Sequence, residues 1–277
     1  MYTLCLDGGN GNKEVIQFHF VMVSANTLFH FTGSSENVIN ILTNHFSPRY
    51  CVETIKYLSK TESIDVAIPM ICFCDIPLSQ ISEHVDVYGE YAIGLTKEWA
   101  IRNGISPLLY LYYGANTMKF IPITYQTSMT VTKIESLVRK SYNLSNVKSV
   151  VHFMTHCKDY NGSMLRNGSI IDKVFYNENE WRFVPADVEN IRPDLQLLMS
   201  KDKIVNIRDK EYLNQLLSSI KIEFTPNDIK YLVISKESER QNFISTIEKI
   251  KGGDYNENEL KILNSKIISI ENIKEDF

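Results

Sequence analysis

The chain has no apolar run near the roughly 18 residues that a membrane-crossing helix needs, and its opening stretch, MYTLCLDGGNGNKE, holds neither the basic nor the apolar segment of an export signal. Neither export nor membrane insertion is expected. Cysteines are few: five, an odd number with no repeating spacing. This argues against a disulfide framework and for reduced thiols, so the expected location is the cytoplasm. Charge of one sign is not in excess either. The 29 Lys and Arg against 33 Asp and Glu leave a formal charge of −4, the wrong sign for a protein that coats nucleic acid or an anionic membrane through its overall field. A local basic patch stays open.

Several motifs of site chemistry are also missing. No Gly-x4-Gly-Lys-Ser/Thr or Gly-x-Gly-x2-Gly pattern follows a strand, and Gly8-Gly9-Asn10-Gly11 lies in an N-terminal turn with no helix start behind it. There is no Gly-x-Ser-x-Gly, so a hydrolase of that class lacks support. His152 and His156 lack the glutamate of a His-Glu-x-x-His site. Thiolate, imidazole and carboxylate all ligate zinc, which makes Cys72, Cys74, Asp75 and His84 the basis of a metal-dependent nuclease reading. Their spacing is poor: Cys-x-Cys is not the usual Cys-x2-Cys knuckle and no second pair follows. Buried apolar cysteines are the expected state, and no metal is expected.

What is present is enough hydrophobic residue, 44% of 277 residues, to bury a full core. Strands are expected over Gln17–Val23, Thr27–Thr32, Met70–Cys74, Tyr91–Leu95, Ile229–Ser235 and, at an edge, Lys266–Ile273. Pro107–Tyr112 reads as extended, and Val174–Val184 has strand character around the turn Asn177-Glu178-Asn179. Helices are expected from Ser34 or Ser35 to Asn44, between Thr96 and Gly104, over Lys210–Ile220 behind an Asp209 cap, and over Glu237–Lys251 before Gly252-Gly253. Strands and helices mix without βαβ alternation, which gives an α+β fold: a mixed, mainly antiparallel sheet with flanking helices. The chain reads as a single domain over 1–277, with a helical insertion at 130–165 and a strand/helix extension at 200–277 packed on the core. The basic residues Lys133, Arg139, Lys140, Lys148 and Lys158 read as a solvated helical layer.

Three constellations stand out. Between Pro69 and Leu95 two apolar runs enclose a loop with Asp75, His84, Asp86, Tyr88 and Glu90, the kind of place where binding groups gather. In Leu28-Phe29-His30-Phe31-Thr32 the strand period puts His30 and Thr32 on one face and Phe29 and Phe31 on the other, toward the core, and His30 reads either as a group facing a cleft or as a surface or satisfied core histidine. In Glu180-Trp181-Arg182-Phe183 it puts Glu180 and Arg182 together, with Glu178 behind them. That pair reads either as a carboxylate that stabilises an oxocarbenium-like centre or as a surface ion pair worth under about 1 kcal/mol.

The segments LFHFTGSSENVINILTNHFSPRY, PMICFCDIPLSQISEHVDVYGEYAIGLTKEWAIRNGISPLLY, VFYNENEWRFVP and NDIKYLVIS, in this order, resemble the bacterial abortive-infection AbiGi family of phage-resistance proteins, from about Leu28 to Ser235. The resemblance implies a two-gene defence module in which this member is labelled the antitoxin, and so a partner protein. A second likeness is to the His, Tyr, Glu arrangement of ADP-ribosyltransferases. It implies an ADP-ribosyltransferase-like fold and NAD as substrate, with ADP-ribose passed to a macromolecular acceptor, protein or nucleic acid. Under it His30 donates to a ribose hydroxyl and Thr32 supports the adenosine half. Tyr91, or Tyr88 in its place, packs on nicotinamide. Glu180, with Glu178 competing, bonds the ribose 2′-hydroxyl, and Arg182 holds Glu180 ionised or meets pyrophosphate. The Cys74–Tyr91 loop then becomes a lid or an acceptor-contact loop, and the alternative is a non-enzymatic antitoxin that kept the fold.

Overall fold

The computed structural model describes residues 3–7, 13–17, 25–57, 63–116, 151–166 and 169–276. β1 (Thr3–Asp7) and β2 (Lys13–Gln17) make an antiparallel pair of their own. Beyond Gln17, the strand expected at 17–23 lies outside the described residues, as does 130–150 of the expected insertion. β3 (Thr27–Thr32) and α1 (Ser35–Asn44) fall where the pattern puts them. The Ser34 hydroxyl caps α1 by accepting the Asn37 N–H, and Val38 and Leu42, one turn apart, are its buried stripe.

The sheet is organised around β5 (Ile64–Cys74), whose sequence IDVAIPMICFC is apolar almost throughout because both faces are covered. It starts six residues before the expected Met70, since Pro69 reads as a strand breaker. On one edge of β5 lie β12 (Glu180–Phe183), opposite residues 71–74, and β13 (Met199–Ser200), opposite 66–67. Pro69 falls in the interval between them, where a missing N–H breaks no ladder. On the other edge β4 (Arg49–Ile55) pairs with residues 64–70, and β3 meets β5 at one position, Phe29 opposite Cys74. β3 and β4 therefore part company beside residues 71–73, and the sheet forks.

From the fork the sheet runs through β6 (Tyr91–Thr96) to β14 (Ile229–Ile234) and β15 (Ile267–Ser269) on one side, and through β12 to β7 (Ser106–Pro107) on the other. Within it the pairs are antiparallel except β14 with β15. The α+β architecture with a largely antiparallel sheet is thus observed. Beside it β8 (Leu109–Leu111) and β9 (Cys157–Asp159) pair in parallel, and β10 (Gly162–Arg166) and β11 (Ser169–Lys173) form a hairpin.

Helices differ from the expectation mostly at their ends. The loop 75–90 contains α2 (Ser82–Tyr88), seated by Ile81 and Val85, both buried one turn apart. α3 (Lys97–Arg102) is capped by Thr96, and a short α4 (Val188–Ile191) follows β12. α5 (Ile207–Leu217) begins three residues before Lys210 because Asn206, not Asp209, is the cap, its side chain accepting the Arg208 N–H. α6 (Arg240–Lys251) and α7 (Glu257–Asn264) follow, and the expected strand 266–273 stops at Ser269, where α8 (Ile270–Asp276) takes over.

Three apolar clusters fill the layers. Tyr50, Tyr57, Val66 and Leu217 pack where α5 covers β4 and the first half of β5. Leu28, Phe46, Phe73, Trp99 and Phe243 pack under α1, α3 and α6. Phe29, Ile76, Ile81, Ala92 and Ile270 fill the opposite face under α2 and α8.

Candidate functional site

The fork opens into a cavity of about 500 Å³, within the size of sites that enclose a small ligand. Phe29, His30 and Phe31 of β3 form one wall and Val52, Glu53 and Thr54 of β4 another. Cys72, Cys74 and Glu180 come from β5 and β12, while Lys158, Phe175, Glu178 and Tyr88 close the remaining side. Residues from far-apart segments meet here because β5 pairs at once with β3, β4 and β12.

Glu180 and Arg182 are on one side of β12 as the period-two reading says, and both are buried, so the surface-pair alternative is removed. Trp181 and Phe183 pack against the cluster of Phe73 and Trp99. Arg182 Nε and one terminal nitrogen donate to Glu180 Oε1 at 3.0 and 2.7 Å. The same guanidinium reaches Glu53 at 3.1 Å and the Thr155 carbonyl at 2.8 Å. It has no exposed surface, so it stands behind Glu180 and offers nothing to a pyrophosphate. From the cavity side Lys158 Nζ meets Glu180 Oε2 at 2.6 Å and Glu178 Oε2 at 3.0 Å. Lys173 Nζ meets Glu178 Oε1 at 2.8 Å, and the Tyr88 hydroxyl donates to the same oxygen. Three carboxylates, Glu53, Glu178 and Glu180, thus interlock with three cations, Lys158, Lys173 and Arg182.

Burial pushes the Glu180 carboxyl upward, but Arg182 and then Lys158 outweigh it and hold the group well below the usual carboxylate range. Glu178 follows the same rule, with Lys158 and Lys173 overcoming burial. The Tyr88 hydroxyl is pushed far up by burial and by the Glu178 charge, which keeps it a donor. Burial also raises the Cys72 and Cys74 thiols, so neither offers a thiolate.

The two faces of β3 separate as expected, but the aromatic face borders the cavity as well as the core. Phe29 and Phe31 line the cavity and join the cluster of Ile76 and Ile81, whereas the His30 ring sits in the fork against Phe46 and Phe73, at centroid distances of 5.3 and 5.7 Å. Its Nδ1 donates to the Cys72 carbonyl at 2.8 Å. Burial lowers its pKa, partly offset by that bond, so the ring is neutral with Nε2 as acceptor. Thr32 lies away from the cavity, its hydroxyl accepting from Asn37 Nδ2 at 2.8 Å. Tyr91 lines a different groove, between α1 and α6, and bonds Glu239 at 2.9 Å. The structure brings His30, Tyr88, Glu178 and Glu180 together and leaves Tyr91 and Thr32 apart.

Asp75 pairs with Lys97 at 2.7 Å and the His84 ring lies beside Phe31 and Tyr88, so the four residues of the metal reading do not converge. Among the described residues no group of three or more His, Cys, Asp or Glu could hold a metal ion. Lys158 is the residue that the sequence misplaces. Expected on a solvated layer, its side chain is 11% exposed, with its ammonium 4.8 Å from the Phe175 ring centroid. Nothing local marks it, because its burial follows from the parallel pairing of β9 with a strand almost fifty positions earlier.

The sequence pattern of the family described as "Putative abortive phage resistance protein AbiGi, antitoxin" matches residues 44–235. A Lactococcus lactis subsp. cremoris protein, described as abortive phage resistance protein AbiGi, is 31% identical over 251 residues, covering 84% of this chain and 99% of its own length. The chain belongs to the AbiGi family. The matched span of the AbiGi pattern takes in β4, β5, α2, β9 and β12, and so most of the cavity wall, while β3 with His30 lies before it. No solved structure matches. Among the described residues no helix is long and apolar enough to cross a membrane.

Proposed function

We propose that this AbiGi-family chain acts in phage defence, as the descriptions of its family and of its lactococcal relative suggest, and that the forked-sheet cavity is an ADP-ribosyltransferase-like site for NAD. The observation that carries the second part is that His30 and Glu180, which the resemblance pairs, line one cavity. Glu180 is ionised and fixed from behind by Arg182, so its Oε2 can accept the 2′-hydroxyl of the nicotinamide ribose and place negative charge near C1′. The C1′–N bond then breaks with its electron pair leaving on nicotinamide, and water or an acceptor nucleophile bonds C1′. Neutral His30 serves as acceptor for a ribose hydroxyl, the reverse of the donor role that the resemblance implies, because its Nδ1 proton is already given to Cys72. Tyr88 takes the place of Tyr91 at the ring-packing position.

Nicotinamide release from NAD by the purified protein, with release abolished in a Glu180→Gln variant that still unfolds cooperatively and keeps the parent's circular dichroism, is the expected result. Undiminished turnover in that variant removes the assignment. A second reading, a non-enzymatic antitoxin that restrains a partner protein, is favoured by the closed balance of three carboxylates and three cations. In that case His30 and Glu180 variants protect cells from phage as well as the parent does.

A further inference from the structure

Glu180 is held unequally at its two oxygens. Oε1 belongs to Arg182, which is wholly buried and also tied to Glu53 and to the Thr155 carbonyl, so it has no room to yield. Oε2 belongs to Lys158, on the cavity side, and Lys158 already has a second carboxylate, Glu178, at 3.0 Å. The backbone is fixed as well. The Glu180 N–H donates to the Tyr110 hydroxyl at 2.9 Å, and Tyr110 sits opposite Lys158 in the β8–β9 ladder. Lys158 and Glu180 are therefore held in register by one small element.

The geometry points to Lys158 as the positioning residue of the cavity: it aims Glu180 Oε2 at the incoming ribose and passes it to the 2′-hydroxyl by moving onto Glu178. This rests on the NAD reading above. The hand-off works because no charge is stranded in it. Lys158 leaves one buried carboxylate for another it already touches, and Glu180 keeps Arg182 while gaining a hydroxyl donor. A cation serving only to neutralise Glu180 would need no second carboxylate within bonding distance. The charged and titratable groups around Glu180 are Arg182 on its own strand, Lys158 on β9, Glu178 and Lys173 beside it, Glu53 on β4, Cys72 and Cys74 on β5, Tyr110 on β8 and Tyr88 on α2. Of the cations, Lys158 faces the cavity and bonds the free oxygen.

The test is the pH profile of nicotinamide release in Lys158→Met and Lys158→Arg, with melting temperature and NAD affinity measured alongside. Met keeps the apolar stem over Phe175 and leaves Glu180 paired with Arg182, so the variant should fold. The expected result for Lys158→Met is a kcat about 10- to 100-fold lower, from loss of aim, with KM changed less than about threefold. Its acidic limb should move up by about one pH unit or more, because one of two opposite charges is gone. Lys158→Arg should return the limb to the parent position. A limb that stays in place in Lys158→Met, or that Lys158→Arg does not restore, overturns the positioning role while leaving the NAD reading standing. A parent protein that neither binds nor cleaves NAD overturns both.

Discussion

The His30 Nδ1–H donates to the Cys72 carbonyl at 2.8 Å, in the stretch of the β5 edge, residues 71–73, that faces no strand among the described residues. A side chain thus supplies the bond that a neighbouring strand would make, and it lets β3 and β4 separate without stranding a backbone acceptor. The cavity exists because that separation is tolerated.

Replacing His30 by Phe keeps the aromatic packing against Phe46 and Phe73 but removes the donor. The Cys72 carbonyl then loses its partner, and the expected cost is about 1–3 kcal/mol. Equilibrium urea unfolding of His30→Phe checks this, and a cost near zero means that water satisfies the carbonyl and the fork does not depend on His30.

Arg182 carries a larger prediction. Its guanidinium is wholly buried against Glu180, so Arg182→Met leaves a carboxylate in the interior short of its fixed partner. Breaking such a pair from one side costs about 3–5 kcal/mol. The double variant Arg182→Met with Glu180→Met should recover part of that loss, since the buried carboxylate goes with the guanidinium, Lys158 keeps Glu178, and the charge that loses Arg182 is the partly exposed Glu53. Equal destabilisation in the single and double variants contradicts this account.

Much of this site is legible in the sequence, and its failures have local causes. Alternation in Glu180-Trp181-Arg182-Phe183 gives the correct side for each residue, because β12 is regular and lies between β5 and β7. The alternation in β3 likewise keeps His30 on the side away from Phe29 and Phe31, but it does not reveal the fork that the ring enters, which exists because β3 meets β5 at one position. Tyr88 and Tyr91 are three residues apart, on the last turn of a helix and the first position of a strand, and sequence has no means of choosing between them. Lys158 and Lys173 become visible only when a parallel ladder and a hairpin from outside the main sheet are laid against Glu178 and Glu180.

Stability against acid should follow the lowered groups. For a carboxylate whose folded pKa lies below its unfolded value near 4.5, as for Glu178 and Glu180, the unfolded chain binds the proton first. The stabilisation is complete above that value and is lost as pH falls through the folded one. Buried His30, lowered from 6.5, adds a decline with the same sign that begins below 6.5. Asp159, pushed up to about 6 by burial despite bonds from the Lys56 and Tyr57 amides, has the opposite sign. The discriminating comparison is Glu180→Gln against the parent in urea midpoints from pH 7 to 3. The variant should lose part of the steep slope below 4.5 and keep the shallower one above it.

Gly89 ties the cavity to the chain that closes it. It ends α2 at φ +113°, a conformation that L side chains rarely adopt. A Cβ there would lie 2.4 Å from the Thr32 carbonyl oxygen and 2.7 Å from Gly33 Cα, both backbone atoms that cannot turn aside. Gly89→Ala must therefore push the end of α2 away from β3, and the residue that moves with it is Tyr88, whose hydroxyl bonds Glu178. The expected result is a loss of about 1–3 kcal/mol, together with a change in Tyr88 environment read by ultraviolet difference absorbance. The conservative partner Tyr88→Phe should lose less stability, because Glu178 keeps Lys158 and Lys173. If Gly89→Ala melts with the parent, the close approach of α2 to β3 is not what holds Tyr88 over the cavity.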